Sequence, residues 1–438
     1  MRALLDLLGD LDGGTVWTVV VGMSAATSCA LVGSYLVLRR IALLGDAISH
    51  AVLPGLVIGF MLSGSRSLLP MLGGAVVAAL STTYLTETIA RRGRVAGDAS
   101  MGVVFTTLFA IGVILMSRHA AQVDLDPGCV LYGQLELAAI DTVSIAVTGS
   151  EVPRTQITLT LILLANLLLL SLFWKELKIT SFDPALAVTV GISATAMHYL
   201  LMTMVAATAV ACFEAVGSIL VIAMLIVPAA TARLLTDRLA TLLVAAVLVA
   251  WISAIGGYAL AVHLDTSVAG MMAVVVGGEF ALAALLAPRH GILAGTLRRA
   301  ALALRIAEDD VLAALYRLQE AQEPQIAAES AIPGAPEAPP ARRLPRLALR
   351  IKGLLRGGPP GAEKLTSRGL ARGRALVRAH RTWEVYLRER LDLPADHLHD
   401  PANRMEHYVD DSMAERILEG LEQPQKDPHG RRIPPKED

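Results

Sequence analysis

Hydrophobic and polar positions divide the chain into two unlike parts near residue 290. Before it, nine apolar runs follow one another, at 15–38, 41–62, 68–89, 99–116, 157–174, 186–206, 209–230, 239–262 and 267–287. Each is about the length a helix needs to cross a bilayer, since some 20 residues at about 1.5 Å each span a hydrocarbon core of about 30 Å. The stretch 129–147 is only weakly apolar and holds Glu136 and Asp141, which predicts a re-entrant or interfacial segment. Eight or nine spans are therefore expected. After residue 291 the period changes. Apolar residues at Leu297, Ala301, Leu304, Ile306, Val311, Leu312, Leu315 and Leu318 predict a helix over 295–322. A connector rich in alanine and proline follows over 323–345, with Pro333, Pro336, Pro339 and Pro340. A basic helix over 347–355, a long helix over 369–391 and a further helix beyond it complete the chain. The expected fold class is all-α, a polytopic helical membrane bundle joined to a small helical cytoplasmic domain. The expected boundaries are 1–292, 293–345 and 346–438.

Composition supports the membrane assignment and excludes an ordinary soluble enzyme. Of 438 residues, 54% are hydrophobic and 18% charged, and the mean hydropathy is +0.56. Arg39, Arg40, Arg91, Arg92, Arg94, Lys175, Lys178, Arg233, Arg238 and Arg289 all fall at alternate ends of successive spans. The excess of basic residues in cytoplasmic loops places these ends, and the C-terminal part, inside a cell membrane crossed many times. The segment 1–14 sets Arg2 against Asp6, Asp10 and Asp12, the wrong charge for a secretory signal. Cys29, Cys129 and Cys212 are scattered and read as small core residues.

The chemistry concentrates in Gly45-Asp46-Ala47-Ile48-Ser49-His50-Ala51-Val52-Leu53-Pro54-Gly55. Asp46 and His50 share a helical face one turn apart, inside an apolar run. An ionisable residue at membrane depth either faces a polar path or hydrogen-bonds a neighbouring helix. A carboxylate beside an imidazole is also half of a first-row metal site, and Gly45, Pro54 and Gly55 loosen the backbone there. Glu214 is either a carboxylate on the same path or an interfacial residue, and His198 near Met197, Met202 and Met204 is either a ligand or packing. Asp183-Pro184 can cap a short helix. No Gly-x-x-x-x-Gly-Lys-Ser/Thr phosphate cradle occurs, so ATP hydrolysis is not expected of this chain.

The Gly45–Gly55 segment resembles the signature of permease subunits of ABC importers for manganese, zinc and iron. Glu214-Ala-Val-Gly-Ser through Pro228-Ala-Ala-Thr-Ala resembles a second hallmark of that family. The resemblance implies a non-enzymatic importer subunit, its translocation path lined by Asp46, Ser49, His50, Pro54, His198 and Glu214. It implies a coupling helix at Phe182, Asp183 and Ala187 that docks on a separate ABC ATPase subunit. An extracytoplasmic metal-binding protein, a homo- or heterodimeric permease partner and the lipid bilayer are the other implied partners.

The polar end of the chain carries its own chemistry. Residues 342–381 hold twelve Lys or Arg against one acid, Glu363, a pattern suited to anionic headgroups or nucleic-acid phosphate. Residues 382–438 reverse the balance, with fourteen acids against eight bases, and together with His380 they hold five of the ten histidines. Histidine nitrogens with carboxylate oxygens and no thiolate suit Mn2+, Fe2+ or Zn2+; a solvated acidic helix pair is the plainer reading.

Leu365-Thr-Ser-Arg-Gly, His380-Arg-Thr-Trp-Glu384, His399-Asp-Pro-Ala-Asn403-Arg-Met-Glu406-His407 and Asp427-Pro-His-Gly resemble the metal-binding and dimerisation domain of diphtheria-toxin-repressor and manganese-transport-regulator proteins. That resemblance implies metal ligands at His380, Glu384, His399, Asn403, Glu406, His407 and Asp310. Asn403 is a weaker ligand than the family's Cys or Glu, and Ala313 stands where manganese regulators offer a carboxylate. The winged-helix features are degenerate, with one basic helix and Gly357-Gly-Pro-Pro-Gly in place of a full wing. The expected function is a manganese, iron or zinc importer permease with a fused metal-responsive domain. A membrane-tethered, metal-dependent, DNA-binding regulator and an ATPase-independent carrier remain the rivals.

Overall fold

The computed structural model describes residues 13–64, 68–119, 133, 135, 136, 140–144, 151–322, 343–358, 363–394, 397–421 and 423–436. The expectations for the segment 1–12, Cys129, most of 129–147, the connector up to residue 342 and the tip of the wing lie outside the described residues. So do the side chains of Ser49 and Glu214. The chain divides into two compact units, Met1–Ala294 and Gly295–Asp438.

In the first unit, helices α1 (Gly13–Leu38), α2 (Ala42–Ala51), α3 (Leu53–Ser63), α4 (Leu68–Gly93) and α5 (Gly97–His119) precede a two-stranded ladder of β1 (Thr142–Ser144) and β2 (Glu151–Pro153). There follow α6 (Arg154–Leu172), α7 (Trp174–Phe182), α8 (Pro184–Thr189), α9 (Ala194–Leu235), α10 (Leu239–Leu264) and α11 (Val268–Leu286). Among the described residues, eight helical segments are long and apolar enough to span a membrane. α2 and α3 form one of them, because Val52 keeps αR angles between the two. α1 sits at the centre of the bundle: Tyr35, Cys29, Ala30 and Val32 are fully buried.

α9 corrects the expected division of its region. The runs at 186–206 and 209–230 predicted a break near residue 207, but helix continues through it and the chain turns at Gly217, with φ 74° and ψ 164°. Both ends of α9 reach one cavity, lined by Ala194 and His198 from one end and Arg233 from the other. α9 is therefore a hairpin of two spans, Ala194–Phe213 and Ala215–Leu235. Glu214 and Ser218 flank the turn, and Gly217 fixes its place, since only glycine adopts such angles without strain. Close packing elsewhere also depends on glycine. A Cβ at Gly55 or Gly74 would run into the other's carbonyl, so α3 and α4 meet backbone to backbone.

The second unit is built on α12 (Ile292–Gln322), α13 (Arg343–Ile351), β3 (Leu355–Arg356), β4 (Lys364–Leu365), α14 (Ser367–Leu391), α15 (His399–Met405) and α16 (Asp411–Glu419). β3 and β4 pair antiparallel, a small wing beyond what the sequence led us to expect. The basic helix is Arg343–Ile351 rather than 347–355, because Gly353, at φ 69°, ends it early. Val311, Leu312, Leu315, Leu349, Leu355, Leu376 and Val377 form the core that joins these elements. Trp383 and Met413 close a second small core over Ala379, Val409 and Ala414.

Candidate functional site

Two groups of side chains carry chemistry, one in each unit. On α2, Asp46 Oδ1 lies 3.6 Å from His50 Nε2, the distance that i, i+4 placement on a helix allows. The separation is longer than a hydrogen bond, so the two groups lie side by side without being bound to each other. The neighbours Ala47 and Ile48 are fully buried, whereas the Asp46 and His50 side chains keep 39% and 30% exposure in the single chain. The His50 ring packs edge-on against Phe109 of α5 at 5.7 Å and is tilted against Phe105 at 6.2 Å. Pro54 is buried at the start of α3. It has no N–H to give the carbonyl four residues back, that of His50.

His198 has a different neighbour. Its Nε2 lies 3.1 Å from Glu87 Oε1 of α4, while Glu87 Oε2 lies 3.5 Å from Arg91. It lines a cavity of about 770 Å3 with Arg39, Arg40, Phe182, Pro184 and Arg233, at the basic end of the bundle. Sequence reading missed Glu87 because it and His198 are 111 positions apart and on different helices. Around the same cavity, Arg39 donates to Ser181 Oγ at 3.0 Å and to Thr180 Oγ1 at 2.8 Å, tying the end of α1 to α7. Asp183 Oδ1 accepts from Leu186 N at 2.9 Å and so caps α8, as Asp-Pro predicted. Phe182 is exposed and Ala187 fully buried. Glu279, which has no evident role in the sequence, accepts from Ser253 Oγ at 2.9 Å. Glu136 Oε1 accepts from Val268 N at 2.9 Å and caps α11.

In the second unit, α14 places His380 and Glu384 one turn apart, and α15 brings His399 to them. His380 Nε2 stands 3.1 Å from Glu384 Oε1 and 3.1 Å from His399 Nδ1, which is 3.3 Å from Glu384 Oε1. His429 Nε2 reaches 3.9 Å from the same oxygen; its only sequence signal was membership of the Asp427-Pro-His-Gly string. A second trio joins Asp310 of α12 to Glu406 and His407 after α15, with His407 Nε2 3.4 Å from Asp310 Oδ1 and Nδ1 3.7 Å from Asp309 Oδ2. His380 bridges the two trios, its Nδ1 lying 2.7 Å from Glu406 Oε2. Arg317 Nη2 holds the same Glu406 oxygen at 3.3 Å. Asn403 is exposed on α15, and Ala313 is buried in the core.

Burial opposes the charge on Glu384, but hydrogen bonds from His380 and His399 outweigh it and hold the carboxyl well below its usual range. Burial likewise opposes a charged His380, and the bond to Glu384 together with the neighbouring Glu406 carboxylate reverses the balance, so its ring is raised. Asp309 and then Asp310 push His407 up to about 9.

The residues fit a divalent cation. Each trio offers its ligand atoms within 4.8 Å of one another. The buried His380 Nδ1 and His407 Nδ1 face carboxylates without the alignment of a hydrogen bond. Nitrogen and carboxylate oxygen without sulfur are the donors that manganese, iron and zinc accept. His380, Glu384 and His399 would form one site and Asp310, Glu406 and His407 the other.

Comparison with known proteins gives these groups a context. Residues 366–435 match the iron dependent repressor, metal binding and dimerisation domain. The manganese transport system membrane protein MntD of Bacillus subtilis is 43% identical over 283 residues, 64% of this chain and 95% of that protein. The zinc transport system membrane protein TroD of Treponema pallidum is 41% identical over 290 residues, 66% of this chain and 78% of its own length. The manganese transport system membrane protein MntC of Bacillus subtilis is 28% identical over 387 residues, 86% of this chain and 85% of that protein, an alignment longer than the membrane unit. Among solved structures, PsaBC from Streptococcus pneumoniae in complex with Fab matches with a TM-score of 0.56 and 26% identity, covering 66% of this chain and 97% of that one. Together with the match of residues 14–287 to the ABC 3 transport family, the multi-span bundle and its Asp46–His50 pair show that this chain is a membrane permease belonging to that family.

Proposed function

We propose that the chain is the permease subunit of an ATP-driven importer for a divalent transition-metal ion, manganese first and iron or zinc next. The observation that carries this is the Asp46–His50 pair inside a span, 3.6 Å apart and not hydrogen-bonded to each other. A dication crossing a bilayer must exchange water for protein donors. One carboxylate oxygen and one imidazole nitrogen offer a short set, hard enough to attract the ion and small enough to release it. The partial exposure of both side chains at membrane depth suits a path closed by a second permease chain, identical or related. Ser49 and Glu214 belong to the same path in this reading. His198 serves its inner end, paired with Glu87.

Energy comes from a separate ABC ATPase subunit, which docks on α8 through Phe182 and Asp183, with Ala187 packing the helix beneath. An extracytoplasmic metal-binding protein delivers the ion. The protein lies in the cell membrane with its second unit in the cytoplasm, where the His380 and His407 clusters sense the same metal. Coupling requires that two arrangements of that unit bind the cation differently. Glu406 is suited to this, because it is shared by Arg317 and His380 and belongs to a site with His407.

The test is uptake of manganese by cells holding the cognate ATPase and binding protein. Asp46→Asn and His50→Gln are expected to lower uptake at least tenfold at equal membrane abundance, since each removes a direct donor to the cargo. Parental uptake by both variants would overturn the reading, and uptake without the ATPase would favour a carrier.

A further inference from the structure

α13 turns Pro345, Arg346 and Leu349 inward, and Leu349 is fully buried in the core of the second unit. Its other face carries Leu344, Leu347 and Ile351 at i, i+3 and i+7, exposed to 73%, 55% and 79%. Such spacing puts the three on one stripe. Arg343, Arg350, Lys352 and Arg356 stand exposed around it. Glu363, the one acid among residues 342–381, is turned inward between Arg346 and Arg350, at 3.3 and 2.9 Å, and adds no negative charge to the surface. On the inward side of α13, away from the stripe, a cavity of about 540 Å3 is lined by Leu304, Leu312 and Leu349, and its charges are balanced, Lys352 pairing with Glu308 and Arg372 with Asp309.

A short apolar stripe bordered by arginine and lysine is the pattern of a helix that lies in a membrane interface. Leucine side chains seat among acyl chains, while the basic neighbours meet anionic headgroups. The first unit spans a bilayer, and five residues of sequence separate its last span, Val268–Leu286, from α12. DNA is a poorer fit for the same face. Base edges are read by hydrogen-bonding groups, and Leu344, Leu347 and Ile351 have none.

We propose that the Leu344–Leu347–Ile351 face of α13, with its basic border, is a docking site for an anionic lipid bilayer. It depends on the membrane embedding of the first unit and not on which ion is carried. The wing-and-helix element then holds to the membrane surface instead of a nucleic-acid groove.

The experiment uses the full-length protein reconstituted in nanodiscs, with an environment-sensitive fluorophore on Leu347→Cys. One set of discs is pure phosphatidylcholine and the other contains about one quarter phosphatidylglycerol. The fluorophore is expected to shift to the blue in the anionic discs. In the unlabelled parent, backbone amides of 343–356 are expected to exchange about tenfold more slowly there than in neutral discs. Leu344→Ser with Ile351→Ser is expected to abolish that protection, and Arg343→Glu with Arg356→Glu or added salt to reduce it. The parent's response to lipid charge needs no variant, so misfolding of a substituted chain leaves the test intact. Equal exchange and equal spectra in the two membranes would overturn the proposal. So would burial of the stripe only when duplex DNA or the purified ATPase subunit is added.

Discussion

His407 shows how one residue links charge, fold and ligand. Its ring is pushed up to about 9 by Asp309 and Asp310. A raised histidine contributes stability that is complete below its unfolded value of about 6.5 and is lost as pH climbs through about 9. The metal-free second unit is therefore expected to melt a few degrees lower at pH 9.5 than at pH 7, and His407→Gln to flatten that slope. Thermal scans of the full-length protein in detergent, with chelator present, check this. The same proton must leave before a cation uses the ring, so metal affinity is expected to rise with pH across that window. Asp46 and His50 could be found from spacing alone, because a helix brings i and i+4 together whatever surrounds it. Glu87 beside His198, and Cys29 Sγ 3.8 Å from Cys212 Sγ, could not, since each pair joins distant helices.

Among the elements, α9 and α8 are the most exposed to single changes. Gly217 turns α9 back on itself with φ 74°, and Gly133 packs against the same backbone. Gly217→Ala is expected to cost about 1–3 kcal/mol through strain in that region, seen as loss of the monodisperse peak in detergent chromatography. α8 is only six residues long and begins at the Asp183 cap. Asp183→Ala is expected to cost about 1 kcal/mol of helix stability and to lower the ATPase activity that the assembled importer shows, measured as phosphate release in proteoliposomes. The cap was legible because Asp-Pro states its own local geometry. The turn at Gly217 was not, because a glycine within an apolar run reads equally well as packing.

For the whole molecule, the two units answer to one ion at different places. Cation bound to the folded second unit stabilises it by about 2.7 kcal/mol at a hundredfold excess over Kd. Glu406→Ala with His407→Ala is expected to remove that manganese-dependent rise in melting temperature. It should leave uptake by metal-starved cells near the parental rate and prevent its decline when manganese is plentiful. Uptake and melting measured on the same variant separate the sensing role from the transport role.

The amino-acid sequence alone determined what depends on composition and short spacing: the long apolar runs, the Asp46–His50 and His380–Glu384 turns, the cap at Asp183 and the change of character near residue 290. These follow from hydrophobic transfer and helical period, which act locally. Tertiary structure decided what depends on distant segments meeting. It turned α9 at Gly217, brought Glu87 to His198 and Arg39 to Thr180 and Ser181, and joined α12, α14 and α15 into two neighbouring ligand clusters bridged by His380. It also set His429 beside one of them. The physical reason is that ligand sets and buried ion pairs are made by packing, and packing is a property of the folded chain.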